Sequence, residues 1–397
     1  MAAKPQRSFT KMRTFLKFLA GIILVLALAW VGLWWYAEAR MESGLTAWVK
    51  QSSANGDLTI SYDSVRRGSS PLAATATLTN LRIVLGTTGA QPVTLTLPSF
   101  TTEIDAGNPL LLHFDLPPQI NFVTSRGNAS MTFGSIVATE QIDAQTLFNA
   151  NVPPFSGSHI DARNIGLLAA GSLLILHADR FTSDSSVNRH AGPKQNALTA
   201  SEQLDGLALS PLLTKLARVP FDGKLTELGL TLNLSGPVPA NWSQAIAKLQ
   251  ATPASDRDAR RSIAVQEVHA WATNGGSGSA SLTATVGLTT LNAAGSLAFD
   301  ANVQPNGKAT ASANHLDAFT TALTDAYPNL QAAIAVIEAR LSPYLSTTPN
   351  DGQTLALHVT YGPPGVTING QQVAPMPTVD WTKLEATPTA AGPGAGQ

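Results

Sequence analysis

An uncharged apolar run near the N-terminus is the feature that most constrains this chain. Residues 18–37 read FLAGIILVLALAWVGLWWYA, twenty positions without a charged side chain. At ~1.5 Å per residue a helix of this length extends about 30 Å, which matches the hydrocarbon core of a bilayer. No polar face interrupts the run, so a helix buried in a globular core does not account for it. We therefore predict a transmembrane anchor helix whose marker residues are Phe18, Ile22, Leu26, Trp30, Trp34, Trp35 and Tyr36.

The charges around this run predict its orientation. Five basic residues and no acidic residue precede it, whereas residues 38–42 carry charges of both signs. Basic residues favour the cytoplasmic side of a membrane, so residues 1–17 are predicted to be a cytoplasmic leader and the rest of the chain to lie across the membrane. The topology-setting residues are Lys4, Arg7, Lys11, Arg13 and Lys17.

A cleaved signal peptide is the alternative interpretation of the same run. Ala37-Glu38-Ala39 has the small-x-small pattern of a cleavage site. However, the apolar run exceeds the ~7–15 residues of a signal core, and bulky aromatic residues directly precede the site. The retained anchor is the favoured prediction, and cleavage near Ala39 stays open.

Composition excludes several classes of protein. Beyond the leader the chain has 20 basic and 26 acidic residues, a net charge of −6, which is the wrong sign for wrapping nucleic acid. Charged residues make up only 13% of the 397 positions, a composition that disfavours a solvated disordered chain. Because cysteine is absent, disulfides, thiolate metal sites and cysteine nucleophiles are excluded as well.

The body of the chain shows mainly strand patterns. Leu and Val alternate with Thr in residues 93–97, and residues 224–234 (KLTELGLTLNL) alternate in the same way. The predicted fold class is α+β, predominantly antiparallel β, with curved sheets and a few packed helices behind one N-terminal transmembrane helix. The predicted segments after the anchor are a stalk helix and turn (38–57), a first β-rich module (58–182), a polar loop (183–201), a second β-rich module with helices (202–380) and a low-complexity tail (381–397).

Local patterns place helices and further strands in the second module. Helical spacing of Leu predicts a helix within residues 207–219, and Asn241 is a candidate cap for the next one. The charged segment 256–261 is predicted to be a loop that leads into a strand over residues 263–271. A helical pair is predicted at 317–326 and 330–341, broken at Pro328.

The order of these features resembles a known family. The shared elements are a basic leader, a Trp-rich membrane helix, a strand running from Gly56 to Tyr62, the strand of residues 225–239 ending in Gly-Pro-x-Pro, and a terminal NGQQVAPMP. Together they resemble the single-pass bacterial envelope proteins grouped as domain of unknown function 2125. The resemblance implies a bacterial inner-membrane protein with a periplasmic body, and it brings no activity or catalytic residue. Gly68-Ser69-Ser70-Pro71 departs from the Gly-aromatic-Pro element that the family often shows.

A more remote architectural likeness is to AsmA-type envelope proteins. These proteins also place a β-rich periplasmic body behind an N-terminal anchor. The likeness implies a connection with lipid movement and outer-membrane homeostasis, although a shared architecture alone does not carry a function.

No catalytic or metal-binding pattern is evident in the sequence. The seven histidines are not spaced as paired metal ligands, and no Gly-x-Ser-x-Gly or phosphate-binding loop occurs. Glu103 and Asp105 share a strand face as a weak acid–base candidate, and Arg66-Arg67 and Arg260-Arg261 are weak candidates for lipid phosphate contacts. We predict no enzyme activity, no metal and no cofactor.

Two apolar runs, at residues 110–112 and 173–176, break strict strand alternation and indicate either core or contact with a hydrophobic ligand. The leading functional prediction is a non-enzymatic envelope protein that binds or shields lipid, or another hydrophobic ligand, in a curved-sheet groove. A scaffold that docks an envelope protein partner is the alternative, and an anchored hydrolase is third. The predicted partners are the lipid bilayer, a hydrophobic ligand or an envelope protein, and no nucleic acid.

Overall fold

A computed structural model describes the chain from residue 28 to residue 385 with gaps. The described residues are 28, 30–32, 34–47, 49–50, 53, 58–70, 72–86, 92–125, 127–144, 155–239, 242–253, 255–363 and 365–385. The predicted leader, with Phe18, Ile22 and Leu26 of the predicted anchor, lies outside this set. The chain divides into two compact units, Met1–Pro117 and Pro118–Gln397.

The first unit contains a helix, α1, and a small antiparallel sheet. The described residues of α1 lie between positions 28 and 53. Its strands are β1 (Leu58–Ser61), β2 (Ser64–Arg67), β3 (Ala73–Leu85), β4 (Val93–Asp105) and β5 (Leu111–Asp115). β3 is central: β1 and β2 pair with successive parts of one edge, and β4 pairs with the other edge and then with β5. Alternate β3 residues form the core because successive side chains point to opposite faces of a strand.

Helix α1 is held against this sheet by polar contacts. The indole Nε1 of Trp34 donates a hydrogen bond to the carbonyl of Ala73 at 3.1 Å. Farther along the helix, Arg67 forms an ion pair with Glu42. Between these contacts lies Glu38, which is 2% exposed and whose Oε1 has no hydrogen-bond partner among the described residues. The predicted stalk is therefore part of the folded first unit.

The second unit contains fourteen strands and six helices in its described part. Its strands are β6 (Gln119–Thr124), β7 (Gly127–Thr132), β8 (Ser135–Ile142), β9 (Phe155–Ala169), β10 (Leu173–Val187), β11 (Asn196–Leu209), β12 (Lys224–Ser235), β13 (Ser277–Val286), β14 (Thr289–Phe299), β15 (Pro305–Ala313), β16 (Leu345–Thr348), β17 (Gly352–Gly362), β18 (Gly365–Ile368) and β19 (Gln371–Ala374). Its helices are α2 (Pro211–Ala217), α3 (Trp242–Ala251), α4 (Arg257–Thr273), α5 (Leu316–Ala326), α6 (Gln331–Leu341) and α7 (Trp381–Glu385).

An antiparallel meander organises this unit. Each strand from β9 to β15 pairs with the next, β15 pairs with β17, and β17 continues to β18 and β19. Successive connections therefore alternate between the two ends of the sheet. We call one end the α2 end; it carries residues 170–172, 210–223, 287–288 and 314–344. The other, the α4 end, carries residues 188–195, 236–276 and 300–304.

The meander has one polar and one apolar face, because paired residues on neighbouring strands point to the same side. Asn233, Ser279, Ser296, Lys308 and Thr360 are register partners along one row of the polar face. Hydroxyl pairs such as Thr360 with Thr367 also link neighbouring strands there, at 2.6 Å. Leu, Val, Ala and Gly occupy the intervening positions and form the apolar face.

The predicted antiparallel β architecture with a few helices is confirmed. Two local predictions were wrong. Most of the polar segment 183–201 lies in β10 and β11, where its hydroxyl side chains form cross-strand hydrogen bonds such as Ser158 with Ser185 and Ser186 with Thr199. Residues 263–271, predicted as a strand, belong to α4, whose N-terminus is capped by the Asp256 carboxylate accepting from Ala259 N at 3.0 Å.

Smaller differences concern element boundaries. Within residues 207–219, β11 runs to Leu209 and helix α2 begins only at Pro211, after the Ser210 cap. The first residues of the predicted low-complexity tail form α7, whereas residues 386–397 lie outside the described set. Among the described residues, no helix has both the length and the apolar character needed to cross a bilayer.

Candidate functional site

The centre of the apolar face carries two transverse rows of side chains, which we call the trough. One row is Leu232, Ala280, Gly295, Ala309 and Val359, in direct register from β12 to β17. The second row is Leu230, Leu282, Ala293, Ala311 and Leu357. Small residues occupy β14 and β15, and larger ones lie on the flanking strands. Four strand spacings of ~4.8 Å make the trough about 19 Å wide.

The trough is exposed to solvent on its β12–β14 side, and its remaining residues are half-buried. Leu230 and Leu282 are direct cross-strand partners, and 46% and 42% of their surfaces are exposed. Ala280 and Ala293 beside them are also exposed. A sheet normally buries its apolar face against another layer, so an apolar face left open at its centre is a candidate binding surface.

Aromatic side chains close the trough at the α4 end. Trp271 of α4 lies over Gly276 and Gly278, where a Cβ at position 276 would lie 2.4 Å from the indole ring. Its Nε1 donates to the carbonyl of Ser235 at 3.0 Å, and its ring meets Phe299 edge-on at 6.0 Å between centroids. Glycine is required at position 276 because any side chain there would displace the indole.

Tyr361 supplies a polar group near the same end. Its ring passes over Gly307, and its hydroxyl donates to the carbonyl of Ser296 at 2.8 Å. Burial raises the pKa of the Tyr361 hydroxyl. The phenol therefore stays protonated at neutral pH and acts as a fixed hydrogen-bond donor beside apolar surface.

Helix α5 borders the trough at the α2 end. It packs on β14 and β17, and its Phe319 stacks on Phe221 with 5.3 Å between ring centroids. The Asp317 carboxylate accepts a hydrogen bond from Gln353 N at 3.2 Å, and this bond to the charged form is the main cause that lowers the pKa of Asp317. The start of α5 is thereby tied to the start of β17.

A groove of about 950 Å³ lies at the α4 ends of the same strands. Its lining combines hydroxyl and amide side chains, such as Asn233 and Thr360, with apolar residues such as Leu297, and Lys308 is its charged residue. The groove therefore has mixed chemistry, whereas the trough is apolar.

A charge cluster lies farther along the polar face. Asp161 accepts hydrogen bonds from both Arg163 and Arg180, with the closest contacts at 2.9 and 3.0 Å. The hydrogen bond from Arg163, followed by that from Arg180, holds the pKa of the Asp161 carboxyl far below its ordinary value. The pairing stabilises β9 against β10, because the two arginines are direct cross-strand partners that would otherwise repel each other.

The C-terminal helix α7 is fastened onto α4 by a cluster that the sequence did not reveal. His269 stacks on Trp381 with 4.7 Å between ring centroids, and its Nδ1 lies 2.5 Å from Glu385 Oε1. The Trp381 Nε1 donates to the carbonyl of Val303 at 2.9 Å. His269 and Glu385 are more than 100 residues apart in sequence, so no local pattern could have indicated their contact.

The predicted site residues have separate locations in the structure. Trp30 and Trp34 are half-buried on α1, and Trp35 and Tyr36 are exposed. The leader residues Lys4, Arg7, Lys11, Arg13 and Lys17 lie outside the described set.

The weaker candidates are accounted for by local structure. Arg67 pairs with Glu42, and Arg260 donates to the carbonyls of Leu249 and Thr252 at the end of α3. Glu103 and Asp105 lie on β4 in the first unit, where Asp105 accepts from Gly107 N. No group of three or more potential metal ligands occurs among the described side chains.

The two apolar runs have different environments. Leu112 is buried in the first unit, whereas Leu173 and Leu174 are exposed at the α2 end of the second. The sequence did not predict the trough, because its central strands are rich in Ala and Gly and show only weak apolar alternation. The strand register, which the sequence does not give, aligns these residues into the two rows.

A family model described as an uncharacterised protein conserved in bacteria (DUF2125) matches residues 34–377. The chain belongs to this family. The match covers α1 from Trp34 and every described strand, so both units are part of the family's common structure. No curated protein and no solved structure matches the chain. The function of this DUF2125 member has therefore to be argued from its own residues.

Proposed function

We propose that this protein is a single-pass inner-membrane protein whose periplasmic body binds or shields a lipid acyl chain, or a similar hydrophobic ligand, in the trough. The observation that carries the proposal is the open apolar face around Leu230 and Leu282. Contact with an apolar chain would remove this surface from water, and that burial is favourable at roughly 25 cal/mol per Å².

The form of the trough supports an elongated apolar ligand. Small residues at Gly295, Ala309 and Ala311 leave space above the sheet, and larger side chains flank this strip. Trp271 and Tyr361 at the α4 end offer ring surface and one hydroxyl, the combination that suits the boundary between an acyl chain and a polar headgroup.

The membrane anchor is part of the proposal. The apolar run of residues 18–37 and the basic leader support an N-terminus in the cytoplasm and a body in the periplasm. A body held at a bilayer has lipid as its most abundant hydrophobic ligand.

Native mass spectrometry of the full chain tests the proposal. The protein is purified in mild detergent after exhaustive exchange, and the bound lipid is extracted and identified. We expect one defined lipid on the wild-type chain and its loss from the double variant Leu230→Thr, Leu282→Thr. The matched control Thr231→Ala, Ser281→Ala changes the neighbouring positions on the opposite face and should keep the lipid. A wild-type chain that shows no added mass even after incubation with an envelope lipid extract would overturn the proposal.

A further inference from the structure

The α2 end of the second unit is lined with exposed apolar side chains. Fourteen large apolar side chains are exposed in the described part of this unit. Six of them lie in the connections of this end, and Val123, Leu173 and Leu174 lie at the strand ends beside them. They belong to connections that are far apart in sequence and that the meander brings together.

Three strand turns at this end carry exposed apolar side chains at or next to their tips. Gly287-Leu288 joins β13 to β14, and Leu288 is 70% exposed. Leu173 and Leu174 follow the turn between β9 and β10 and are also exposed. The turn between β6 and β7 lies beside them, because Asn128 accepts from Ala170 N, and it adds exposed Val123. Turn tips are usually polar, so apolar side chains at successive tips of one end are unusual.

Helix α2 combines apolar and basic side chains. Leu212 and Leu216 lie one helical turn apart and are both exposed, Leu216 by 73%. Lys215 and Arg218 are exposed beside them and form no ion pair with any described residue. Leu with unpaired Lys and Arg is the combination found on surfaces that rest on anionic lipid headgroups.

Helix α6 is apolar and exposed over most of its length. Its sequence is QAAIAVIEARL, and Val336 and Ile337 are both more than half exposed. Leu330, just before the helix, is exposed as well. Apolar side chains exposed along a helix favour contact with another apolar surface.

The α4 end has the opposite character. Its strand turns carry Asn188, Arg189, His190, Lys194 and Asp300. In the described part of its connections only Val268 is a large apolar side chain that is exposed, and Val373 is exposed at a strand end beside them. The exposed large apolar side chains are therefore concentrated at the α2 end, where Asp222, Asp317 and Asp325 are also exposed.

We propose that the α2 end docks on a membrane surface, inserting Leu288, Leu216 and Ile337 into the interfacial layer while Lys215 and Arg218 meet anionic headgroups. A bilayer suits this surface better than a protein partner, because the apolar tips are spread over strands β10 to β17. Six strand spacings of ~4.8 Å span about 29 Å. A fluid bilayer accepts separate tips at such distances without matching pockets, and long basic side chains reach its headgroups. The inference deepens the proposed function, and rests on it, by naming the surface through which the trough exchanges lipid.

The absence of cysteine makes the test direct. Single cysteines are introduced in the full chain by Leu288→Cys, Leu216→Cys and Ile337→Cys, with Asn302→Cys at the α4 end as the matched control. Each is labelled with the environment-sensitive fluorophore NBD, and the protein is reconstituted into phosphatidylcholine–phosphatidylglycerol vesicles. Brominated lipid, a contact quencher, is supplied either in these vesicles or in separate added vesicles.

We expect the emission of the three NBD labels at the α2 end to shift to shorter wavelength. Brominated lipid, supplied either in the same vesicles or in added vesicles, should quench these labels and leave the label at position 302 unchanged. Replacing phosphatidylglycerol by neutral lipid should reduce quenching at position 216 more than at position 288, because position 216 lies beside Lys215 and Arg218. No quenching in either arrangement would overturn the inference. Self-quenching of the labels that rises with protein concentration in the absence of lipid would also overturn it, in favour of a second copy. A bound lipid that persists in mass spectra without label quenching would leave the trough standing and remove only the docking surface.

Discussion

The double substitution Leu230→Thr, Leu282→Thr should weaken binding of an acyl ligand about 30-fold. Burying a whole Leu side chain is worth about 1.5–3 kcal/mol. Since 46% and 42% of these two residues remain exposed, a ligand that covers both can gain about 2 kcal/mol from the pair. At 1.4 kcal/mol per factor of ten, this corresponds to about 30-fold in Kd.

Threonine is the appropriate replacement because its β-branched side chain suits a strand and lacks most of the apolar surface of leucine. The buried part of each Leu also contributes to folding, so the double substitution should lower the free energy of unfolding by about 2–3 kcal/mol in total. The native fold is checked by circular dichroism before binding is measured.

Displacement of a fluorescent fatty-acyl probe provides the assay. The full chain is held in nanodiscs, and the signal of empty nanodiscs is subtracted so that partitioning into the bilayer does not contribute. The control variant Thr231→Ala, Ser281→Ala should bind the probe as the wild type does, because these side chains point away from the trough. Equal affinity of the folded Leu variant and the wild type would refute the reasoning.

Three further predictions concern stability. Glu38→Met should raise the free energy of unfolding by about 1–3 kcal/mol, since it removes a buried oxygen that has no described partner; a lower melting temperature would contradict this. Gly276→Ala should cost about 1–3 kcal/mol because its Cβ would meet the Trp271 ring, whereas Gly44→Ala, with open space in α1, should not destabilise; equal effects in thermal unfolding would show that the indole moves freely. Asp161→Asn should lower the melting temperature at pH 7. Its folded pKa is depressed, so its contribution is complete above the ordinary carboxyl range of about 4 and is lost as the pH falls. The difference between variant and wild type should therefore shrink in melts at about pH 3, and a constant difference would contradict the assignment.

The sequence was sufficient for elements whose pattern is local. Strands such as β12 and β17 alternate clearly because one face is solvated, and the helical pair α5 and α6 is separated by Pro328. Helix α4 was missed because apolar residues at positions 263, 265 and 268 mimic a strand. Its helical state depends on the Asp256 cap and on distant contacts of His269 and Trp271.

The candidate site was much less predictable than the fold. Strand alternation indicated which residues share a face within one strand, but the trough depends on the registers of five strands at once. The sequence around Ala280, Gly295 and Ala309 contains no pattern that indicates a binding surface. These residues form part of the trough only because the strand register aligns them with Leu232 and Val359. The apolar runs at residues 110–112 and 173–176 were the stronger sequence indications of an apolar surface. Leu112 of the first run lies in the core of the first unit, and Leu173 and Leu174 of the second are exposed at the α2 end.

Photo-crosslinking in living cells tests the central claim most directly. The photoreactive amino acid p-benzoyl-phenylalanine is placed at position 282, inside the trough, or at position 281, on the opposite face of the same strand. The account predicts that irradiation adds the mass of a lipid to the chain labelled at 282 and not to the chain labelled at 281. A protein adduct at 282, or equal lipid adducts at both positions, would contradict it.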